Sequence, residues 1–301
     1  MELLKRMDAF IFLFIVGLII VGSLAIIFYS VSFQAEKDKI GIIELSGEII
    51  SGDESPSFMT TGELQRAFEN ARRDERVKAV VLVVDSPGGE VAASYEMYSI
   101  VKRFEKPVVA FIRGTGASGA YLACLGADNI VSHQFSTIGS IGAYIPLQKP
   151  VPVVPENAKE ILAITSGKLK NIWADGVLDE NEREFLKMRV DETKDSFFDL
   201  VFQRTRVNRT ILEKVEENVK NPIYVLAEGG WLDGKRAFEL GLIDSLGDIA
   251  DALRLASKLA GIELEKSEVV NIAPPPPGTY GNTFYEIPVY KDNEYLPIYL
   301  K

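Results

Sequence analysis

The chain has 301 residues, 47% of them apolar, with a single Cys and a single His. Its net charge of -10 argues against nucleic acid as a partner, since neutralising phosphates takes clustered Lys and Arg and only short pairs such as Arg72-Arg73 occur. One Cys excludes an intramolecular disulfide, one His nearly excludes a His-based metal site, and no metal or cofactor is expected. In chain order, Lys5 and Arg6 precede an uncharged apolar run from Ala9 to Phe33. At about 1.5 Å per residue this run spans a hydrocarbon core of about 30 Å with length to spare. A cleaved signal peptide has a shorter apolar region of about 7–15 residues and ends in small residues. The run is therefore read as one uncleaved transmembrane helix, residues 9–33, in contact with membrane lipid. Residues 1–8 form a cytoplasmic N-terminus and 34–39 a linker. Lys5 and Arg6 put the N-terminus in the cytoplasm and the bulk of the chain outside it, although Lys37 and Lys39 oppose that charge bias.

From Ile40 the pattern changes to that of a domain, expected over 40–273. Ile40–Leu45 reads as a strand, and Thr61 as the cap of a helix carrying Leu64, Ala67, Phe68 and Ala71 at helical spacing. Val77–Val84 is a near-continuous apolar run, as for a strand buried on both faces. Asp85-Ser86-Pro87-Gly88-Gly89 reads as a tight turn, Val91–Phe104 as a helix and Pro107–Ile112 as a second buried strand. Then comes Arg113-Gly114-Thr115-Gly116-Ala117-Ser118-Gly119-Ala120-Tyr121, one Ser among glycines, leading into the apolar helical turn Tyr121–Leu125. A short strand is expected at Asn129–Ser132 and a third Gly/Ser turn at Thr137–Gly142. Strands alternating with helices indicate an α/β domain with a largely parallel sheet and flanking helices. Ligands of such sheets bind beyond the carboxyl ends of the strands, where both Gly-rich turns would lie. Pro146, Pro150, Pro152 and Pro155 mark an extended stretch, followed by an apolar strand, Ile161–Ile164, leading to Thr165-Ser166-Gly167-Lys168-Leu169-Lys170-Asn171. Asp179–Arg206 reads as a long amphipathic helix, Thr210 starts another, Ala237–Asp244 holds a short helix closed by Gly241, and Asp248–Ala260 is a final helix. Residues 274–301, rich in Pro and Tyr, read as an extended tail. Asn208-Arg209-Thr210 matches a glycosylation acceptor, a triplet common by chance.

Ser118 has two possible roles. At a strand-to-helix turn its hydroxyl can project into a cleft, and the amide after it points where an oxyanion would form. The commoner role of Ser at such a place is to cap the helix. If Ser118 is a nucleophile, its base is either His133 or a lysine with a lowered pKa. A strand-end His rarely meets the geometry a triad demands. Cys124, in an apolar run, reads as buried and structural.

Three stretches together, Asp85–Gly89, Gly116–Tyr121 and Thr165–Lys170, resemble the signal peptide peptidase A family, in order and spacing, over about Ile40 to Ala260. Gly139-Ser140-Ile141-Gly142 and Gly241-Leu242-Ile243-Asp244 also resemble family stretches. Members are membrane-anchored serine proteases of the ClpP/crotonase-like fold. The resemblance implies a Ser/Lys dyad with Ser118 as nucleophile and Lys170, not Lys168, as general base. It implies an oxyanion hole from the amides of Gly88 or Gly89 with Gly119, and Ser140 as a group orienting the lysine. The family commonly has two glycines after the Ser, and here the second is Ala120. A single copy of the pattern is similar to the short members, which form homo-oligomeric rings, with an octamer as the candidate size, in which Ser and Lys come from neighbouring subunits. The implied substrates are leftover signal peptides or other short apolar peptides, bound extended along a strand edge. Three alternatives stay open: cleavage of a stomatin-like membrane-protein segment, crotonase-type chemistry on an acyl-CoA, and a non-catalytic membrane scaffold.

Overall fold

The computed structural model describes residues 14–23, 37–55, 57–147, 166, 168–172, 177–272, 286–291 and 294–299. The chain divides into two compact units, Met1–Asp38 and Lys39–Lys301. In the first, residues 14–23 form a helix, α1. The remainder of the expected span 9–33 lies outside the described residues, and among the described residues no helix is long and apolar enough to cross a membrane.

The second unit is built on β1 (Lys39–Ile50), β3 (Val77–Gly89), β4 (Val108–Ala117) and β5 (Asn129–Ser132). With the short β2 (Met59–Thr60) and β8 (Ser245–Leu246) they make a sheet in the order β2-β1-β3-β4-β5-β8, every pair parallel. Parallel neighbours need crossovers, and helices α2 (Thr61–Arg73), α3 (Val91–Lys102) and α4 (Gly119–Cys124) supply the first ones. β3 is apolar from Ala79 to Val84 because both its faces are covered there. Val80, Leu82 and Val84 pack in the larger core, while Ala79, Val81 and Val83 pack in a second cluster with Ala252, Leu253 and Ala256 of α9 (Ile249–Ala260).

Several boundaries differ from the sequence expectation, each for a local reason. α2 is capped by Thr60, not Thr61. Thr60 Oγ1 accepts from the Glu63 amide, and the Glu63 carboxylate accepts from the Thr60 amide, a capping box that the residue one further on would break. Asp85–Gly89 is not a separate turn. It continues β3, paired to β1 as far as Ile49↔Gly89, with register shifts between Ser46 and Glu48 on β1. Thr137–Gly139 is a strand, β6, parallel to β4 and antiparallel to β7 (Trp231–Asp233). The expected strand, residues 161–164, lies outside the described residues, and Lys168–Asn171 is one 3-10 turn rather than the tail of a strand. The long helix is α5 (Glu180–Arg204), capped by Asp179. The helix expected from Thr210 is α6 (Arg209–Glu213), and Asn208 is its cap, its side chain accepting from the Ile211 amide at 3.1 Å. α7 (Pro222–Ala227), α8 (Gly234–Leu240) and β9 (Glu268–Asn271), which pairs with β1, complete the unit. The tail residues Glu286–Lys291 and Glu294–Tyr299 pair as an antiparallel hairpin, β10 and β11.

Candidate active site

β3 and β4 run side by side and end together, with Ser86 paired to Gly116. This brings the two glycine-containing segments into contact. Gly88 has φ +96, and a Cβ there would stand 2.6 Å from the Gly119 amide nitrogen and 2.9 Å from Ser118 Cβ. Only glycine fits such an approach. Gly119 is equally tight on its other side, since a Cβ on it would lie 1.9 Å from Ser94 Oγ on α3.

Ser118 is the single residue between β4 and α4. It adopts φ 51 and ψ -126, and its side chain makes no cap hydrogen bond to α4. The common role of Ser at a helix start is therefore absent. Its amide donates to Gly139 O at 2.7 Å, so β6 holds the turn in place. A residue with a side chain at positive φ is uncommon, costs about 1–3 kcal/mol, and clusters where function requires it. Ser140, just after β6, is the other such residue among those described, at φ 50, with its amide on Gly230 O at 2.9 Å.

Ser118 opens onto a cleft of about 520 Å³. Gly89, Ser118 and Gly119 form its floor, and Val91, Ala92, Ser94 and Tyr95 of α3 form one side. Gly142, Ala143 and Tyr144 bound it elsewhere, and α5 closes it with Thr193, Ser196, Phe197, Asp199 and Leu200. The lining is mostly apolar, as in sites that take apolar side chains. Asp199, its one charged residue among those described, is paired with Arg209 at 2.8 Å.

The other expected site residues fall as follows. The Gly88 amide donates to the buried Ser86 Oγ at 3.2 Å, whereas Gly89 lines the cleft. Lys170 is exposed on the 3-10 turn and is not among the residues lining the cleft. His133 is exposed and rests edge-on against Phe111, 5.3 Å between ring centroids. Phe111 belongs to the cluster under α9, whereas Leu122 and Phe197 of the cleft belong to the larger core, so His133 does not face Ser118. Cys124 is fully buried, and burial pushes its thiol up to about 12, which makes it inert as a nucleophile. Among the described residues no group of His, Cys, Asp and Glu is placed to hold a metal.

Sequence reasoning did not find the α5 wall or Ser94. Phe197 and Leu200 carry ordinary amphipathic spacing, and nothing local marks which apolar helix residues border a cleft. Tyr121 and the Gly241–Asp244 stretch do have a linked role. Tyr121 Oη donates to Leu242 O at 2.7 Å, and Asp244 accepts from the Ile130 amide at 2.7 Å and from Arg204 at 2.6 Å. These bonds fasten α4 and the end of α5 to the sheet beside the cleft.

Comparison with known proteins adds to this geometry. The pattern of peptidase family S49 matches residues 101–263. A putative protease of Methanocaldococcus jannaschii is 31% identical over 222 residues, which are 72% of this chain and 67% of that one. A putative signal peptide peptidase SppA of Enterococcus faecium is 27% identical over 75% of this chain and 65% of its own. The solved structure of the 1510-N membrane-bound stomatin-specific protease overlies 80% of this chain and 99% of that one with a TM-score of 0.45 and 15% identity.

Proposed function

The chain belongs to peptidase family S49 and is a serine protease, and on that premise we propose that it cleaves short apolar peptides, leftover signal peptides among them, through an acyl-enzyme on Ser118. The observation that carries this reading is the strained, uncapped Ser118 on the floor of an apolar cleft, with Gly119 and Gly89 beside it. Ser118 Oγ attacks the scissile carbonyl carbon and passes its proton to a neutral lysine amine. The resulting oxyanion is held by the Gly119 amide and by Gly89, assigned in place of Gly88 because the Gly88 amide already serves Ser86 Oγ. The lysine returns the proton to the departing amine as the C–N bond breaks. Water then hydrolyses the ester by the same route. Lysine acts as a base only when desolvated or placed beside other cations.

The base is Lys170, delivered from a neighbouring copy in a homo-oligomeric ring. What supports a second copy is that Lys170 is exposed on its own chain and outside the cleft lining. The fold is of the ClpP/crotonase-like kind, and the apolar run 9–33 anchors the chain in a membrane with the protease domain outside the cytoplasm. The length of that run and the flanking Lys5 and Arg6 support the anchor.

The test is labelling with an activity-based phosphonate, mapped by mass spectrometry, beside peptide cleavage by single variants. Ser118→Ala and Lys170→Ala are each expected to abolish cleavage, and Lys168→Ala to retain it. Absence of label on Ser118 in a folded, assembled sample would leave a non-catalytic scaffold as the better reading. Loss of activity in Lys168→Ala with retention in Lys170→Ala would reverse the base assignment.

A further inference from the structure

Glu90 follows the Gly88-Gly89 pair, and the chemistry above makes no use of it. It directly precedes α3 yet forms no side-chain cap bond to that helix. Its carboxylate Oε2 instead accepts the Ser51 amide at 2.8 Å, and its own backbone amide donates to Ile49 O at 2.9 Å. One residue thus grips the end of β1 on both sides of Ile50. At the first of those points, Ile49, Gly89 lies flat on the strand, where a Cβ would fall 2.0 Å from Ile49 O and 2.6 Å from Ile49 N. The Glu90 carbonyl accepts both the amide and the hydroxyl of Ser94, at 2.9 and 2.7 Å. Ser94 Oγ is the atom packed against Gly119. Glu90 is therefore bonded to the strand under one proposed oxyanion donor and to the side chain pressed on the other.

We infer that Glu90 is a positioning residue for the peptide cleavage, clamping the end of β1 so that the Gly89 amide stays aimed at the point beside Ser118 where the oxyanion forms. The inference rests on the reading of Ser118, Gly89 and Gly119 given above. Two consecutive glycines, the first at φ +96, do not fix an amide by themselves, because glycine has the widest backbone freedom. The chain just beyond the clamp, Ser51–Glu54, is exposed and bonds to the start of α2, with Gly52 O accepting from the Gly62 amide and Asp53 O from Thr60 Oγ1, while the Glu90 carboxylate ties Ser51 to the glycine pair. The Ser51 amide also keeps the Glu90 carboxyl below the usual carboxylate range, so it is ionised at neutral pH and makes a charge-assisted bond. An oxyanion donor acts only when preorganised, and removing one outright costs about 10²–10³ in kcat.

The experiment compares the full chain with Glu90→Ala, Glu90→Gln and Ser118→Ala, measuring kcat and KM on a short apolar peptide, the rate of phosphonate labelling, and Tm. Misaiming one donor is expected to lower kcat of Glu90→Ala about tenfold and slow labelling in parallel, with KM unchanged within about twofold. Glu90→Gln keeps an oxygen that accepts from Ser51 and is expected to recover most of kcat. A kcat for Glu90→Ala equal to that of the parent overturns the inference. So does equal impairment of the Ala and Gln variants, or a loss of kcat that comes with a matching fall in Tm. Cleavage that persists in Ser118→Ala overturns the peptidase site itself, and the positioning role with it. Loss in Ser118→Ala with full kcat in Glu90→Ala removes the positioning role alone.

Discussion

Ser118 holds a backbone conformation that side chains rarely adopt, and its neighbours leave it no alternative. Gly139 O takes its amide, Gly88 abuts its Cβ, and Ser94 abuts the glycine after it. Such a site tolerates no added atom. Gly119→Ala would put a methyl 1.9 Å from Ser94 Oγ and 2.7 Å from Ser94 Cβ. Overpacking of this kind is expected to cost about 1–3 kcal/mol and to displace the proposed oxyanion amide. Adding Ser94→Gly removes both clashing atoms. A double-mutant cycle by urea unfolding should therefore show favourable coupling between the two changes, and additive losses would contradict the contact. A second residue-scale prediction concerns the start of the sheet. Lys39 Nζ lies 2.7 Å from Asp74 Oδ2, and chiefly this hydrogen bond lowers the Asp74 carboxyl to about 2. In the unfolded chain the group titrates near about 3.9. The stabilisation is complete above the unfolded value and is lost as pH falls through the folded one. Asp74→Asn should cost about 1 kcal/mol in urea unfolding at pH 7, the scale of a partly exposed pair, and the difference should close by about pH 2.

At the scale of elements, the cleft depends on α5, a helix whose two halves differ. Its buried residues, Phe197, Phe198 and Val201, lie in its C-terminal third. Arg204, near its end, pairs with Asp244 and also donates to Asp128 O at 3.1 Å. The helix is thus pinned at one end, and the face that reaches the cleft lies next to the pin. Ser196 is an exposed residue on that face. Ser196→Trp would fill the cleft without entering the core. Tm is expected to stay within about 2 °C while KM for an apolar peptide rises about tenfold, because a blocked pocket removes ground-state and transition-state binding alike. Unchanged KM would place the peptide elsewhere. α5 itself was legible in the sequence, from apolar residues such as Phe185, Met188 and Val190 with charges between them, although Asp179, read as its first residue, proves to be its cap. The role of the helix was not, since Phe197 lies far along the chain from Ser118 and only packing brings them together.

At the scale of the whole molecule, the arrangement of nucleophile and base makes a quantitative prediction. If Ser118 of one copy uses Lys170 of its neighbour, Ser118→Ala and Lys170→Ala chains, each inactive alone, complement one another when co-assembled. A random equal mixture in a ring leaves about one quarter of the sites with both groups intact, so about one quarter of parental activity should return. A dyad within one chain predicts none. Co-expression followed by peptide cleavage distinguishes the two.

The sequence by itself determined the parallel α/β sheet, because apolar runs such as Val77–Val84 have one stable use, as strands covered on both faces. It also marked Ser118 and the Gly88-Gly89 pair, since glycines at strand ends record close backbone approach, and it set His133 and Cys124 aside by count and context. Tertiary structure decided the rest. The Asp85–Gly89 stretch reads locally as a turn because Pro and Gly favour turns, yet pairing with β1 extends it as a strand. Ser118 reads locally as a helix cap because Ser usually is one, yet contacts from β6, α3 and β3 hold it uncapped at φ 51. The cleft, its α5 wall and the Glu90 clamp on Ser51 join residues far apart in the chain. Their geometry comes from how the crossovers pack, which no local spacing encodes.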